Sequence, residues 1–213
     1  MLARAAAGAP EGLWLRADRQ TGGKGRQGRT WVSPPGNLYI STLVRVRPAD
    51  PAPPTLALVA AVALHEVISS EAPDVRIKWP NDILAGPAKL AGILLERSGD
   101  AVVIGFGANL AFHPEGLDRP VTSIALVSGA ATPPARIAEE LASAFAAWLA
   151  RWRSDGLPPI LAAWLAAAHP IGTPLSTPEG QGSFAGLDQS GALRLRLLDG
   201  SLRLVHAGDV FLL

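Results

Sequence analysis

Between Asp18 and Asp50 the chain carries no acidic residue but six cations, Arg19, Lys24, Arg26, Arg29, Arg45 and Arg47. Within this stretch Gly23-Lys24-Gly25-Arg26-Gln27-Gly28 alternates glycine with charge. A glycine backbone of this kind can turn its N–H groups and its cations toward one anion. Read alone, the segment is either a solvated basic loop or an anion site. Gln20 before it, Trp31 after it and three glycines inside it favour the anion site. The same residues match the G-x-G-x-x-G pattern of dinucleotide-binding folds, but that fingerprint needs a helix opening at the glycines and an acid further on. Here a Pro34-Pro35-Gly36 turn follows and no acid does. No Walker-type phosphate loop occurs anywhere in the chain.

A second group of chemistry-bearing residues stands at Lys78-Trp79-Pro80-Asn81-Asp82. The proline ends a strand and leaves a carboxamide and a carboxylate at its tip, where a rigid scaffold can hold them open to a ligand. The same three residues also suit an ordinary turn. Seven residues on, Lys89 enters the apolar run Leu90-Ala91-Gly92-Ile93-Leu94-Leu95. Other chemistries are excluded or unsupported. There is no cysteine for disulfides, thiolate metal sites or thioesters. His65, His113, His169 and His206 show no ligand spacing, and neither a G-x-S-x-G elbow nor an H-E-x-x-H helix is present.

In order and spacing, ADRQTGGKGRQGRTW, KWPNDIL, KLAGILLE and VVIGFGANL resemble the catalytic domain of biotin–protein ligases over Leu13 to Asn109. FAGLDQSGALRLR and HAGDVFL resemble that family's small SH3-like C-terminal module. The resemblance implies a two-step ligase. Biotin is first activated with ATP to biotinyl-5'-adenylate. Biotin is then passed to a lysine on the biotin carrier domain of acetyl-CoA carboxylase or a related carboxylase. By position, Gln20, Gly23, Lys24, Gly25 and Arg26 contact biotin or its adenylate, with Arg29 supporting the loop. Lys89, with Gly92 beside it, sits at the biotin carboxyl and the phosphate. Asp82, next to Asn81, lies near Mg²⁺ or accepts the proton of the incoming lysine, Trp31 packs on adenine, and Asn109 lines the nucleotide side. Lys89, Arg26 and Asp82 are the catalytic candidates.

Two positions depart from the family pattern: Lys24 and Gln27 stand where arginines are usual. Lysine keeps the charge but loses the two-pronged geometry of arginine. The family also carries a Ser-Thr-Asn segment ahead of the position of Gln20, and the expectation is that this chain, starting at Met1, lacks that part of the biotin site. It is likewise expected to lack the N-terminal DNA-binding domain of the family's repressor form. Two other readings stay open: a lipoate- or octanoate–protein ligase type of acyl transfer, and a non-catalytic biotin-binding paralogue.

The elements that must position these residues follow from periodicity. A short helix ends near Ala7, and Leu13–Ala17 alternates as a strand. Leu38, Ile40, Thr42, Val44 and Val46 give a longer strand with one apolar face. Residues 55–69 are apolar on nearly every side and read as a buried helix. Val75–Trp79 is a short strand, and Leu90–Glu96 with Ala101–Phe106 forms a hairpin around Ser98-Gly99-Asp100. Ile137, Leu141, Phe145, Trp148 and Trp152 mark one face of an amphipathic helix, and a shorter helix follows at 159–168. From Ile171 on, short strands alternate with glycine turns. The fold class is α+β: a mixed β-sheet catalytic domain with helices over residues 1–168, then a small SH3-like β-barrel over residues 169–213.

The balance of the chain fits this reading. Of its 213 residues 48% are apolar and 17% charged, and the formal net charge is +1. That is a globular composition with no bulk attraction to nucleic acid or to an anionic membrane. The apolar run Leu56–Leu64 is shorter than the roughly 20 residues a bilayer span needs. The expected location is the cytoplasm, and a homodimer is compatible with the sequence.

Overall fold

A computed structural model describes residues 1–213. Helix α1 (Leu2–Ala6) and strand β1 (Trp14–Ala17) precede the basic loop. Next come β2 (Leu38–Arg45), α2 (Leu56–Glu71), β3 (Val75–Lys78), β4 (Asp82–Ala85), β5 (Ala88–Ser98) and β6 (Ala101–Ala108). Three helices follow, α3 (Ile124–Ser128), α4 (Pro134–Ser154) and α5 (Pro158–Ala167). The chain ends in β7 (Pro174–Thr177), β8 (Gly180–Leu187), β9 (Leu193–Leu197), β10 (Leu202–Val205) and β11 (Phe211–Leu212).

The first six strands form one sheet in the order β1-β2-β6-β5-β4-β3. The expected mixed sheet is realised as antiparallel ladders between all neighbouring strands. Parallel pairing is confined to two isolated bridges, Ile77 with Ala168 and Lys89 with Val121. One face of the sheet carries Ile40, Val44, Ile93, Ile104 and Phe106 into the main core. There they meet α2, which is buried from Leu56 to Ile68 on almost every side, as a helix apolar all round must be. Although α2 and its leading turn are long and apolar enough to pass for a membrane span, they are the central core helix here. Outside α2, α4 turns Ile137, Leu141, Phe145 and Trp152 inward, and the Trp152 Nε1–H donates to Thr55 Oγ1 at 2.8 Å.

The opposite face is treated differently along its length. Under α1, Leu43, Ala101 and Val103 pack against Ala5. Farther along, this face is rich in glycine: Gly105 lies between Ser41 and Leu94, and Gly107 between Tyr39 and Gly92. Three glycines at neighbouring positions leave a floor for something else.

Asn37, 2% exposed at the head of β2, ties the end of β6 to this sheet. Its Oδ1 accepts from the N–H groups of Leu110, Ala111 and Phe112, each at 3.0 Å, and its Nδ2 donates to the Phe112 carbonyl at 2.8 Å. Asn37→Ala is expected to cost about 3 kcal/mol or more, since each buried N–H left unpaired costs about 1–3 kcal/mol. Asn37→Asp, which keeps the acceptor, should lose far less. Equal denaturant midpoints for Asn37→Ala and the parent would show that the turn holds itself.

The last five strands form a second sheet in the order β10-β9-β8-β7-β11. The small β module is present, but the expected barrel does not close by strand pairing, since β10 and β11 remain the two edges of the sheet. Its core is continuous with that of the first domain: Phe184, Leu193 and Val210 join Ile77, Trp79 and Trp164 in one cluster. The Trp164 and Phe184 rings lie 6.3 Å apart, edge to face.

Candidate active site

Over the glycine floor lies a cavity of about 520 Å³, bounded by the basic loop, the starts of β4 and β5, and residues 209–212 of the small module. The loop is shaped by its own backbone. Gly25 N–H donates to the Arg29 carbonyl at 2.7 Å and Trp31 N–H to the Gly23 carbonyl at 3.0 Å. Gln27 (φ 57°) and Gly28 (φ 73°) make the reversal through the left-handed region, which glycine enters without cost. Gly23 does not line the cavity. It is packed instead: a Cβ there would lie 2.6 Å from Ser33 Oγ and 2.9 Å from Gln20 Oε1.

Trp31 lies on the floor. A Cβ on Gly107 would come within 2.8 Å of its ring, so only glycine permits this contact. Its Nε1–H is buried and finds no acceptor in the protein. Above the ring, at 5.4 Å from its centroid, stands the Lys89 ammonium, within the range of a cation–π contact.

Two clusters of charge face the cavity. In the first, Lys89 Nζ lies 2.5 Å from Asp82 Oδ1 and Lys78 Nζ lies 3.4 Å from Asp82 Oδ2. Burial pushes the Lys89 ammonium below the ordinary lysine value, and the neighbouring Arg119 and Lys78 add to this. Asp82 pulls it back only in part. In the second cluster, Arg26 donates to Asn81 Oδ1 at 3.2 Å and to the Gly208 carbonyl at 3.1 Å, and it stands 3.8 Å from Asp209. Arg29 pairs with Asp209 and donates to Gln27 Oε1. Burial raises the Asp209 carboxyl, but Arg29, Arg26 and Lys78 together outweigh it and hold the group below its ordinary value. Lys78 also reaches the small module, donating to the Val210 carbonyl at 2.8 Å.

The cavity therefore gathers Gln20, Lys24, Gly25, Arg26, Arg29 and Trp31 from the loop with Asn81, Asp82, Lys89 and Gly92 from the sheet. Besides Gly23, the expectations for Asn109 and for a metal at Asp82 need correction. Asn109 does not line the cavity. It is 2% exposed and its Nδ2 donates to the Thr122 carbonyl, pinning the turn after β6. Arg45 and Arg47 lie apart from the anion site and pair with Asp100 and Glu11. Asp82 does not fit a metal held by the protein: its two oxygens face two ammonium groups, and no cluster of three His, Asp or Glu side chains exists.

Sequence reading missed Lys78, Arg119, Ser41 and Asp209 as cavity residues. Lys78 heads a motif it had singled out for other members. Gly105 and Gly107 carried a usable signal, because two glycines at i and i+2 bare one face of a strand.

Sequence and structure comparisons show what the chain is similar to. Residues 7–109 match the biotin/lipoate A/B protein ligase family, and residues 175–213 match the biotin protein ligase C-terminal domain. The biotin–[acetyl-CoA-carboxylase] ligase of Paracoccus denitrificans is 40% identical over 216 residues, covering 93% of this chain and 89% of that protein. A biotin protein ligase from Aquifex aeolicus, in complex with biotin and ATP, shares the fold. Its TM-score is 0.87 at 23% identity, covering 96% of this chain and 91% of that one. A biotin protein ligase from Leishmania major, in complex with biotinyl-5-AMP, gives 0.67 at 26% identity over 97% and 92% of the two chains.

Proposed function

Because the chain belongs to the biotin protein ligase family, we propose that this cavity activates biotin with ATP and delivers it to a lysine of the acetyl-CoA carboxylase biotin carrier domain. In the first step a biotin carboxylate oxygen attacks the α-phosphorus of ATP, and the bond to pyrophosphate breaks. In the second, the neutral amine of the carrier lysine attacks the biotinyl carbonyl, and AMP leaves with the bridging oxygen.

Two anions must meet in the first step, and charge builds on the phosphoryl oxygens as they do. Fixed cations aimed at those oxygens lower the barrier. The observation that carries the reading is the shared cavity, in which Lys89 on the sheet faces a basic loop over a bare glycine floor. Lys89 bridges carboxylate and phosphate, Arg26 and Lys24 hold the adenylate from the loop, and Arg29 braces them. Gln20, Gly25, Asn81 and Gly92 complete the walls. Trp31 gives biotin or the adenylate a flat apolar surface. Asp82 accepts the proton of the incoming lysine, with Lys78 and Lys89 stabilising its charge. Mg²⁺ would come with the substrate ATP and neutralise part of its phosphate charge, and no residue here is assigned to it. We place the enzyme in the cytoplasm, where its substrate ATP is supplied.

Mass spectrometry of a biotin carrier domain incubated with the chain, biotin and ATP tests the function. One biotin on one carrier lysine, dependent on ATP, is expected. Transfer of lipoate or octanoate in preference to biotin would overturn the substrate.

Gly107→Ala is expected to push Trp31 off the floor and raise the biotin dissociation constant about tenfold, or about 1.4 kcal/mol. Calorimetric titration with biotin checks this, and an unchanged constant would remove Trp31 from the biotin side.

A further inference from the structure

We propose that Arg119 clamps the outer phosphates of ATP, the pair that departs as pyrophosphate. This inference rests on the ligase reading above and names a phosphate subsite within it.

Arg119 is placed by the sheet. Lys89 N–H donates to the Pro120 carbonyl and Thr122 N–H to the Lys89 carbonyl, both at 2.9 Å. Residues 120–122 thereby run as a short parallel strand alongside Lys89. Arg119, one residue before this pairing, lines the same cavity as Lys89. It lies close enough for its charge to disfavour the Lys89 ammonium.

Its charge is also uncommitted. Arg26 and Arg29 are tied to Asp209, Lys78 to Asp82 and the Val210 carbonyl, and Lys89 to Asp82. Arg119 has no ion pair and no hydrogen bond, although it is half-buried. Lys24 is free too, but it rides on the loop, whereas Arg119 is fixed to the strand that bears Lys89. Two cations lining one cavity repel each other, and an anion bridging them removes that cost. With the α-phosphate at Lys89, the next anionic groups of the nucleotide are its β- and γ-phosphates. A guanidinium fork takes two phosphate oxygens at once, which an ammonium cannot.

The two half-reactions separate this role from the other use of a free arginine, docking an acidic acceptor surface. In biotin-dependent exchange of labelled pyrophosphate into ATP, with no carrier present, Arg119→Ala should raise the KM of pyrophosphate and of ATP at least tenfold. Arg119→Lys should recover part of that loss. Biotin affinity, and single-turnover transfer from preformed biotinyl-adenylate to the carrier, should be unchanged. An unaltered pyrophosphate KM, or slowed transfer with normal exchange, would overturn the assignment. Calorimetric binding of pyrophosphate alone distinguishes the two failures. A parent chain inert in exchange that still binds pyrophosphate through Arg119 would sink the ligase reading and keep the phosphate site. Equal pyrophosphate binding by the parent and Arg119→Ala would sink the site.

Discussion

Lys89→Ala is expected to lower the rate of adenylate formation at least a hundredfold while leaving the fold intact. Loss of one fixed charge that stabilises a transition state costs about 3 kcal/mol or more, which is at least roughly two orders of magnitude in rate. The chain has no lysine beyond Lys89, and Lys78, although it shares Asp82, is tethered to the Val210 carbonyl. It is thus held away from the role. Lys78 also protects the fold, because Asp82 keeps one partner in the variant and is not left as a bare buried charge. The pH profile adds a second readout. Burial lowers the Lys89 ammonium from its ordinary 10.5, so in the free enzyme protonated Lys89 is lost at a pH below that value as pH rises. The basic limb of kcat/KM should fall there. In kcat the limb should move upward, because bound phosphate favours the charged form. Near-parental pyrophosphate exchange by Lys89→Ala, with circular dichroism confirming a folded protein, would place Lys89 outside the reaction.

Arg26→Gly should produce a leaky enzyme instead of a dead one. Arg26 fastens the loop to both sides of the cavity, to Asn81 on the sheet and to Gly208 and Asp209 on the small module. Arg29 contacts Asp209 but not the sheet. With Arg26 gone, glycine-rich backbone and one remaining tie leave the loop free to open, and the reactive adenylate escapes before a carrier lysine takes it. The expected result is biotin on unrelated proteins of a mixed lysate supplied with biotin and ATP, and an adenylate lifetime on the enzyme shortened at least tenfold. Labelling confined to the carrier domain would show that some other contact retains the intermediate.

How much of this was legible beforehand depended on whether the signal was local. The buried helix α2, the amphipathic α4, the alternating β2 and the β5–β6 hairpin follow from periodicity, and each forms at its expected place. Strand β4 does not read from sequence, because its four residues come straight after the turn formers Pro80 and Asn81. Helix α3 spans five residues, too few for a periodic face to show. The loop cations, Asn81, Asp82 and Lys89 converge as the motif order implied. Asn109 stands two residues beyond Gly107 yet turns into the protein, a direction that no motif encodes. Asp209 was invisible for the opposite reason: its partner Arg29 lies 180 residues away, so only the docking of the small module onto the loop reveals it.

The most direct test of the central claim is exchange of labelled pyrophosphate into ATP by the chain itself. The proposed site would form a mixed anhydride between biotin and AMP, so exchange should appear when biotin is added and vanish when it is withheld. Exchange supported equally by lipoate or octanoate, or absent with biotin at saturating ATP, would contradict it.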